Sequence, residues 1–341
     1  MSSLAPPIVS EAMPTAALPN ERAIGALWRR IVAFLLDDII VGVAGALLAL
    51  PFFEILSRFG AWGRLVGFCV ALPYFAILNS KIGNGQTVGK RWMRIQVVDG
   101  AGNTLPFLRS AARYAVLAIP YFLNGLVIPQ ASTPWAVTTA MSVIIFGVGG
   151  ATVYLMLFNR RTRQGIHDLA VGSYVAVAGN NGPVSATSIW KPHWIILGTL
   201  LTALLAGGGI FANRLSQSGP FPELLEDIRM IESIDGVQSA GAQDLRSSTW
   251  GSGEVKKILV LNVFWTGKDA DETAAADQIA KLIVRQDHQV ENHDLLRIVL
   301  VRGYDLGIAH VSVTHSYQHT PAEWNARLFG PSQAIAAPTK L

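Results

Sequence analysis

The chain has 341 residues, of which 51% are hydrophobic and 15% charged, with a mean hydropathy of +0.37, 32 glycines and one cysteine. A soluble globular chain carries about 25% charged residues, so this composition excludes disorder, a coiled coil and a disulfide scaffold, and asks for a bilayer to accept apolar surface. Charge is divided unevenly: residues 1–211 hold 15 Lys and Arg against 7 Asp and Glu, net +8, leaving 12 against 16, net −4, for residues 212–341.

Residues 1–21 are rich in Pro, Ala and Ser and have no basic cluster ahead of an apolar core, which reads as a disordered tail and not as a cleaved signal peptide. The first apolar run, Ile31 to Phe53, has 23 residues interrupted only by Asp37 and Asp38. At ~1.5 Å per residue it crosses a hydrocarbon core of ~30 Å. Between Arg64 and Lys81 lie 16 uncharged residues, Leu65 to Ser80, long enough for a second span if Arg64 snorkels outward along its aliphatic stem. Arg113 and Arg160 bracket 46 uncharged residues with a break at Pro129 to Pro134, which fits a third and a fourth span, with Pro120 inside the third. Trp194 to Ala212, 19 uncharged residues, is the fifth.

The Lys and Arg of the short loops set the expected orientation. Arg22, Arg29 and Arg30 precede span one, six basic residues from Lys81 to Arg113 lie between spans two and three, and Arg160, Arg161, Arg163 and Lys191 lie between spans four and five. All three groups fall on one side only if the 46-residue stretch crosses twice. The N-terminus is then cytoplasmic and the region after span five is across the membrane. Basic residues so placed answer to topology, and no nucleic-acid partner is expected. The expected division is a tail at 1–21, a four-span membrane domain at 22–178, a cytoplasmic linker at 179–192, a fifth span at 193–212, an extracytoplasmic domain at 213–331 and a tail at 332–341.

Asp37 and Asp38 need an explanation, because a carboxylate at the centre of a spanning helix costs ~2.5–3.5 kcal/mol on insertion scales. Arg30 and Asp37, seven residues apart, share a helix face but stand ~10 Å apart along the axis, too far to pair. A partner for Asp37 must come from another helix, and by depth Asn79 and Arg113 are the candidates. Two readings stay open. The polar group is a clasp that fixes helix register, with Asp37 protonated in place as a variant of that reading, or Asp37 binds a proton or cation and is discharged in a cycle. Asp38 can simply turn toward water.

The segment from Arg30 to Asp37 resembles the arginine and aspartate signature of the RDD family of membrane proteins. Gly85-Gln86-Thr87-Val88-Gly89-Lys90 leading into Arg94 to Gly100, and Gln164 to Asp168 running to Gly172-Ser173, resemble two further motifs of that family in the same order. The resemblance covers about residues 22–178. Ser173 stands where the family usually has threonine, and Asp38 is an extra acid beside the signature aspartate. The resemblance implies a transport role for ligands that are unidentified, sodium/proton antiport in a few members, and a signature set of Arg30, Asp37 and Asp168. Asp168 follows the apolar end at Phe158 by ten residues, so it belongs at the cytoplasmic interface, where a gate or anchor fits better than a deep ion site.

The glycine-rich run before Lys90 is not a phosphate cradle, because Asn84 and Arg91 stand where that motif needs Gly and Ser or Thr. Ile95 to Leu105 reads as a short hairpin around Asp99-Gly100, with Trp92 and its basic neighbours suited to an anionic membrane surface. His167 beside Asp168 is either a proton relay or a hydrogen-bonded partner.

Beyond span five the pattern becomes helix (Pro222 to Ser233), strands (Val237 to Leu245 and Val255 to Trp265), helix (Asp271 to Gln286), strands (Leu295 to Val301 and Ile308 to His315) and a short helix (Glu323 to Leu328). The expectation is an antiparallel sheet covered on one face by helices, a two-layer α+β module of ferredoxin-like type. His288, His293, His310, His315 and His319 tempt a metal reading, but His310 and His315 differ by an odd number on one strand and face opposite sides, so no metal is expected. Cys69 is alone inside span two. With no nucleophile, paired-acid or cofactor signature, neither enzyme activity nor a cofactor is expected.

The sequence therefore points to a multi-pass helical protein of the bacterial cytoplasmic (inner) membrane. Arg30, Asp37, Asp38, Arg113, His167 and Asp168 are its ion-site or signature candidates. The bilayer, a cation or proton, an envelope protein bound through residues 221–330 and a homo-oligomer are its partners. The function expected is transport of a cation, proton or small solute. The alternative is a membrane-anchored assembly protein whose exported module binds an envelope component.

Overall fold

The computed structural model describes residues 22–330, apart from residues 127, 130–132, 180–181, 185–187, 216, 220, 249–254, 268–271 and 287–289. The two expected tails and His288 lie outside the described residues. Helix α1 (Leu27–Ala49) continues through a tight turn into α2 (Phe53–Leu56), and α3 (Gly63–Leu78) follows. The buried residues of α1 are Arg30, Ala33, Asp37, Val41, Gly45 and Ala49. They recur every three or four positions and form one stripe, and the apolar residues around it are exposed, as a helix with lipid on its other faces requires. The buried stripe of α3 contains Gly63, Gly67, Ala71 and Phe75 at a strict spacing of four.

The chain then makes the short α4 (Val88–Trp92), strand β1 (Ile95–Asp99) and α5 (Phe107–Leu123). Helices α3 and α5 pack through aromatic rings, with Phe75 and Tyr114 stacked at 4.4 Å. A continuous apolar rod comprises α6 (Trp135–Ser142), a π-helical stretch over Val143–Gly149 and α7 (Gly150–Phe158). After it come α8 (Ile166–Val171), β2 (Ser173–Val177) and α9 (Lys191–Leu215).

Among the described residues four helical rods are long and apolar enough to cross a membrane: Leu27–Leu56, Gly60–Leu78, Trp135–Phe158 and Lys191–Phe211. Helix α5, where the third span is expected, has 17 residues with Arg109 and Arg113 in its first two turns and is not one of the four.

One local expectation is corrected. The segment after Ile95 is not a self-contained hairpin: a turn forms at Asp99, whose carbonyl accepts from Gly102, but β1 pairs antiparallel with β2, nearly 80 residues away. The local turn signal was real, and tertiary pairing supplied a more apolar partner in Val175 and Val177. Arg64 forms an ion pair with Asp305 of the C-terminal region, 2.6 Å away.

The C-terminal region runs α10 (Phe221–Glu232), β3 (Val237–Ser248), β4 (Val255–Trp265), α11 (Glu272–Gln286), β5 (Leu295–Asp305), β6 (His310–His319) and α12 (Pro321–Phe329). The strands lie in the order β3-β4-β5-β6. Strand β5 alternates buried and half-buried residues along its length, and Leu296, Ile298 and Leu300 share one core with Ile231, Ile279 and Trp324 from the helices. Helix α12 begins with a reciprocal capping box between Thr320 and Glu323.

The sheet is mixed, contrary to the all-antiparallel expectation: β4 and β5 are parallel, because α11 returns the chain to the end where β4 began. These two strands are also neighbours, so the unit is not the split βαβ of a ferredoxin-like module. The expected histidine alternation on β6 is present, with His315 turned to Glu272, while His293 lies 3.4 Å from Asp244. Among the described residues no three His, Cys, Asp or Glu side chains group as a metal site.

Candidate functional site

Two buried polar centres form at the end of the bundle that carries most of the basic residues. The first is built on Asp37, which has no exposed surface. Its Oδ1 accepts from the Tyr74 hydroxyl and the Gly89 amide, both at 2.9 Å, and its Oδ2 accepts from the Thr87 hydroxyl at 2.5 Å. Thr87 is the N-cap of α4, so its oxygen also accepts from the Lys90 amide, and the Lys90 ammonium donates to it at 3.3 Å. Of the free amides at the start of α4, that of Gly89 is thus answered by a carboxylate from α1 and that of Lys90 by the Thr87 cap. Only glycine permits this approach at position 89: an added Cβ would lie 2.2 Å from the Ala33 carbonyl oxygen.

The second centre is built on Asp168, also fully buried. Arg113 from α5 grips its Oδ1 through Nε at 2.8 Å and Nη2 at 2.7 Å, and the Ser173 hydroxyl donates to the same oxygen at 2.9 Å. Arg30 approaches the other oxygen at 3.8 Å and His167 Nε2 lies 3.4 Å from it. Most of what Arg30 does is different. It donates to the backbone carbonyls of Gly25, Thr162, Arg163 and Val175, so it ties the start of α1 to the loop before α8 and to β2. Arg109 caps the end of α8 through the Val171 and Gly172 carbonyls, where Gly172 takes the left-handed conformation.

Burial pushes the Asp168 carboxyl up, but the Arg113 guanidinium, with help from its other neighbours, holds it well below the usual carboxylate range. Burial pulls His167 down to about 4, against the pull of Asp168, so at neutral pH it is an uncharged neighbour of the ion pair. Burial likewise lowers Lys90 to about 8; Arg113 and Arg30 push the same way, while Asp37 and Asp168 oppose them. Lys90 therefore lies in the field of both centres. Three cations, Arg30, Lys90 and Arg113, face two carboxylates, Asp37 and Asp168, and the lysine is the member whose charge changes most readily near neutral pH.

Of the residues expected from sequence, Arg30, Arg113, His167 and Asp168 come together, and Asp37 stands at the neighbouring centre. Neither Asn79 nor Arg113 is the partner of Asp37: Asn79 donates to the Phe75 carbonyl of its own helix, and Arg113 is taken by Asp168. Arg30 does not answer Asp37 either, because its reach is spent on carbonyls and on Asp168. Asp38 is half-buried beside the stripe and belongs to neither centre. Sequence reasoning saw Thr87 and Lys90 only as part of a motif and did not place them at the site, and it missed Tyr74. Thr87, immediately before the short helix α4, was a findable N-cap; Tyr74 carried no local signal.

A family model described as the RDD family matches residues 24–172. No curated protein and no solved structure matches the chain. The matched segment contains both centres, from Arg30 to Asp168, and stops one residue before Ser173. Residues 24–172 are thus similar to the RDD family of membrane proteins, and a further apolar helix and a sheet-containing C-terminal region follow the matched segment.

Proposed function

We propose that the RDD domain is transport-related and moves a proton or small cation past Asp37, with no enzymatic step. The observation that carries this reading is the chain from the Lys90 ammonium to the Thr87 hydroxyl at 3.3 Å and from Thr87 to the Asp37 carboxylate at 2.5 Å. A lysine near neutrality, one hydroxyl away from a buried acid, is a route by which a proton can be exchanged as the acid is loaded and discharged. In this reading α5 is the third of five crossings, the centres lie at the cytoplasmic face of a bacterial inner membrane, and the sheet domain is extracytoplasmic, in line with the basic loops. Five helices enclose little space, so a homo-oligomer belongs to the proposal. The test is flux from the reconstituted protein with a panel of cations and osmolytes. Asp37→Asn and Lys90→Met are each expected to abolish proton- or cation-linked flux, and full-rate flux in Asp37→Asn would refute the reading.

One observation favours a second reading. Both oxygens of Asp37 are already occupied by protein donors, as a permanent clasp requires. The chain would then be a membrane-anchored assembly protein whose exported domain binds an envelope component. A stoichiometric partner crosslinked through residues 221–330, with no flux from the purified protein, selects it.

A further inference from the structure

The turn between β5 and β6, Asp305 to Ala309, does not end in solvent. It enters the helix bundle at the end opposite the two centres, and glycines on two helices make room for it. An added Cβ at Gly67 of α3 would lie 1.7 Å from the Leu306 carbonyl oxygen, and one at Gly63 would lie 2.8 Å from that of Asp305. On α1, Cβ atoms at Gly42 and Gly45 would lie 3.0 Å from the Ile308 carbonyl oxygen and 2.8 Å from its side chain. Small residues at such spacing let backbones approach where lipid offers no hydrophobic driving force.

Several polar groups of the turn have protein partners, as irregular backbone at membrane depth requires. The Leu306 amide donates to the Ala309 carbonyl, the Gly307 amide to Asp305 Oδ1 at 2.7 Å, and the Tyr121 hydroxyl to the Gly307 carbonyl at 2.9 Å. Two ion pairs hold the hairpin at its sides: Asp305 with Arg64 at 2.6 Å, and Arg302 with Glu54 at 2.5 Å. Gly42 is five residues from Asp37, or ~7.5 Å of helix. One apolar layer, with Val41, Ala71 and Phe75 in it and Ile308 packed against it, separates the tip from the Asp37 level.

We propose that this hairpin tip is a plug. It closes the bundle at the sheet end, and a change in the C-terminal domain that releases its two ion pairs uncovers the layer beneath Asp37. The inference concerns access and not transport, so it stands or falls without any flux.

The experiment uses the full chain in vesicles, in a Cys69→Ser background, with Ala71→Cys as reporter. Ala71 is one turn beyond Gly67 on the same face of α3 and fully buried. A negatively charged methanethiosulfonate reagent, supplied to both faces, is expected to react slowly with the latched protein. With Asp305→Asn and Glu54→Gln together, which remove both ion pairs with little loss of volume, the reaction is expected to be at least ten-fold faster. Val41→Cys repeats the measurement from α1. A second arm checks the seating itself. An added Cβ at Gly45 would lie 3.7 Å from the Ala309 Cβ, within the range a disulfide needs, so Gly45→Cys with Ala309→Cys is expected to crosslink under mild oxidant once the end of the Ile308 side chain moves aside. Equal labelling rates with and without the ion pairs, rapid labelling of the latched protein, or no crosslink would each overturn the plug.

Discussion

Asp168→Asn tests the physical account of the second centre most directly. Asp168 has no exposed surface, and the two guanidiniums that face it, Arg113 and Arg30, are 5% and 6% exposed. Asparagine keeps the shape and can still meet the Ser173 hydroxyl, but it leaves both cations buried without a counter-charge. Removing one partner of a buried ion pair costs about 3–5 kcal/mol. For a domain of this size each kcal/mol moves the midpoint by about 2–4 °C, so thermal unfolding of the detergent-solubilised protein is expected to fall by roughly 6–20 °C. Asp277→Asn is the control: its pair with Arg327 at 3.0 Å is partly exposed, and such pairs contribute about 0–1 kcal/mol. Combining Asp168→Asn with Arg113→Met should cost less than the two separate losses together, because the second change removes the cation stranded by the first. A drop for Asp168→Asn no larger than for Asp277→Asn would refute the claim that this buried pair holds α5 and α8 together.

Gly89→Ala places a methyl against the Ala33 carbonyl and is expected to lower stability by about 1–3 kcal/mol while releasing α4 from Asp37, measurable as faster proteolysis within residues 84–94. Tyr74→Phe removes one of three donors to the Asp37 carboxylate and is expected to cost about 1.5–3 kcal/mol in the same thermal assay. The pH dependence has a defined sign. Folded Lys90 at about 8, against an ordinary 10.5, binds fewer protons than the unfolded chain between those values, so stability should rise from pH 8 to 10.5, and Lys90→Met should flatten that rise. His167, lowered from 6.5 to about 4, acts the same way lower down: stability should be lost as pH falls from 6.5 to 4, and His167→Gln should remove that part of the loss. In the C-terminal domain, Thr320→Ala breaks the capping box of α12 and is expected to cost about 1 kcal/mol, read by denaturant unfolding.

The apolar rods were legible because lipid imposes a length and a composition that no other environment asks for. The motifs around Arg30, Thr87 to Lys90 and Asp168 were legible as separate strings. Their pairing was not. Asp37 found a hydroxyl from α3 and an amide from α4 because those elements pass it at the same depth, and depth along a helix does not reveal rotation or which loop folds inward. The partner of Arg64 was hidden for the same reason: a lone arginine near a helix end looks the same whether it reaches for water or for an acid some 240 positions later. The mixed sheet shows a further limit, since the strand pattern gives which residues alternate but not which strands become neighbours.

By itself the sequence determined that this is a membrane protein with an RDD-type segment, because hydropathy, glycine placement and motif order are properties of neighbouring residues. Only the tertiary structure decided that Asp37 and Asp168 serve different centres, that Lys90 reaches the first through Thr87, and that a β-turn from the C-terminal region fills the opposite end of the bundle. Those are contacts between elements tens to hundreds of residues apart, set by which buried polar groups can satisfy one another at the same level, and no local pattern records that choice.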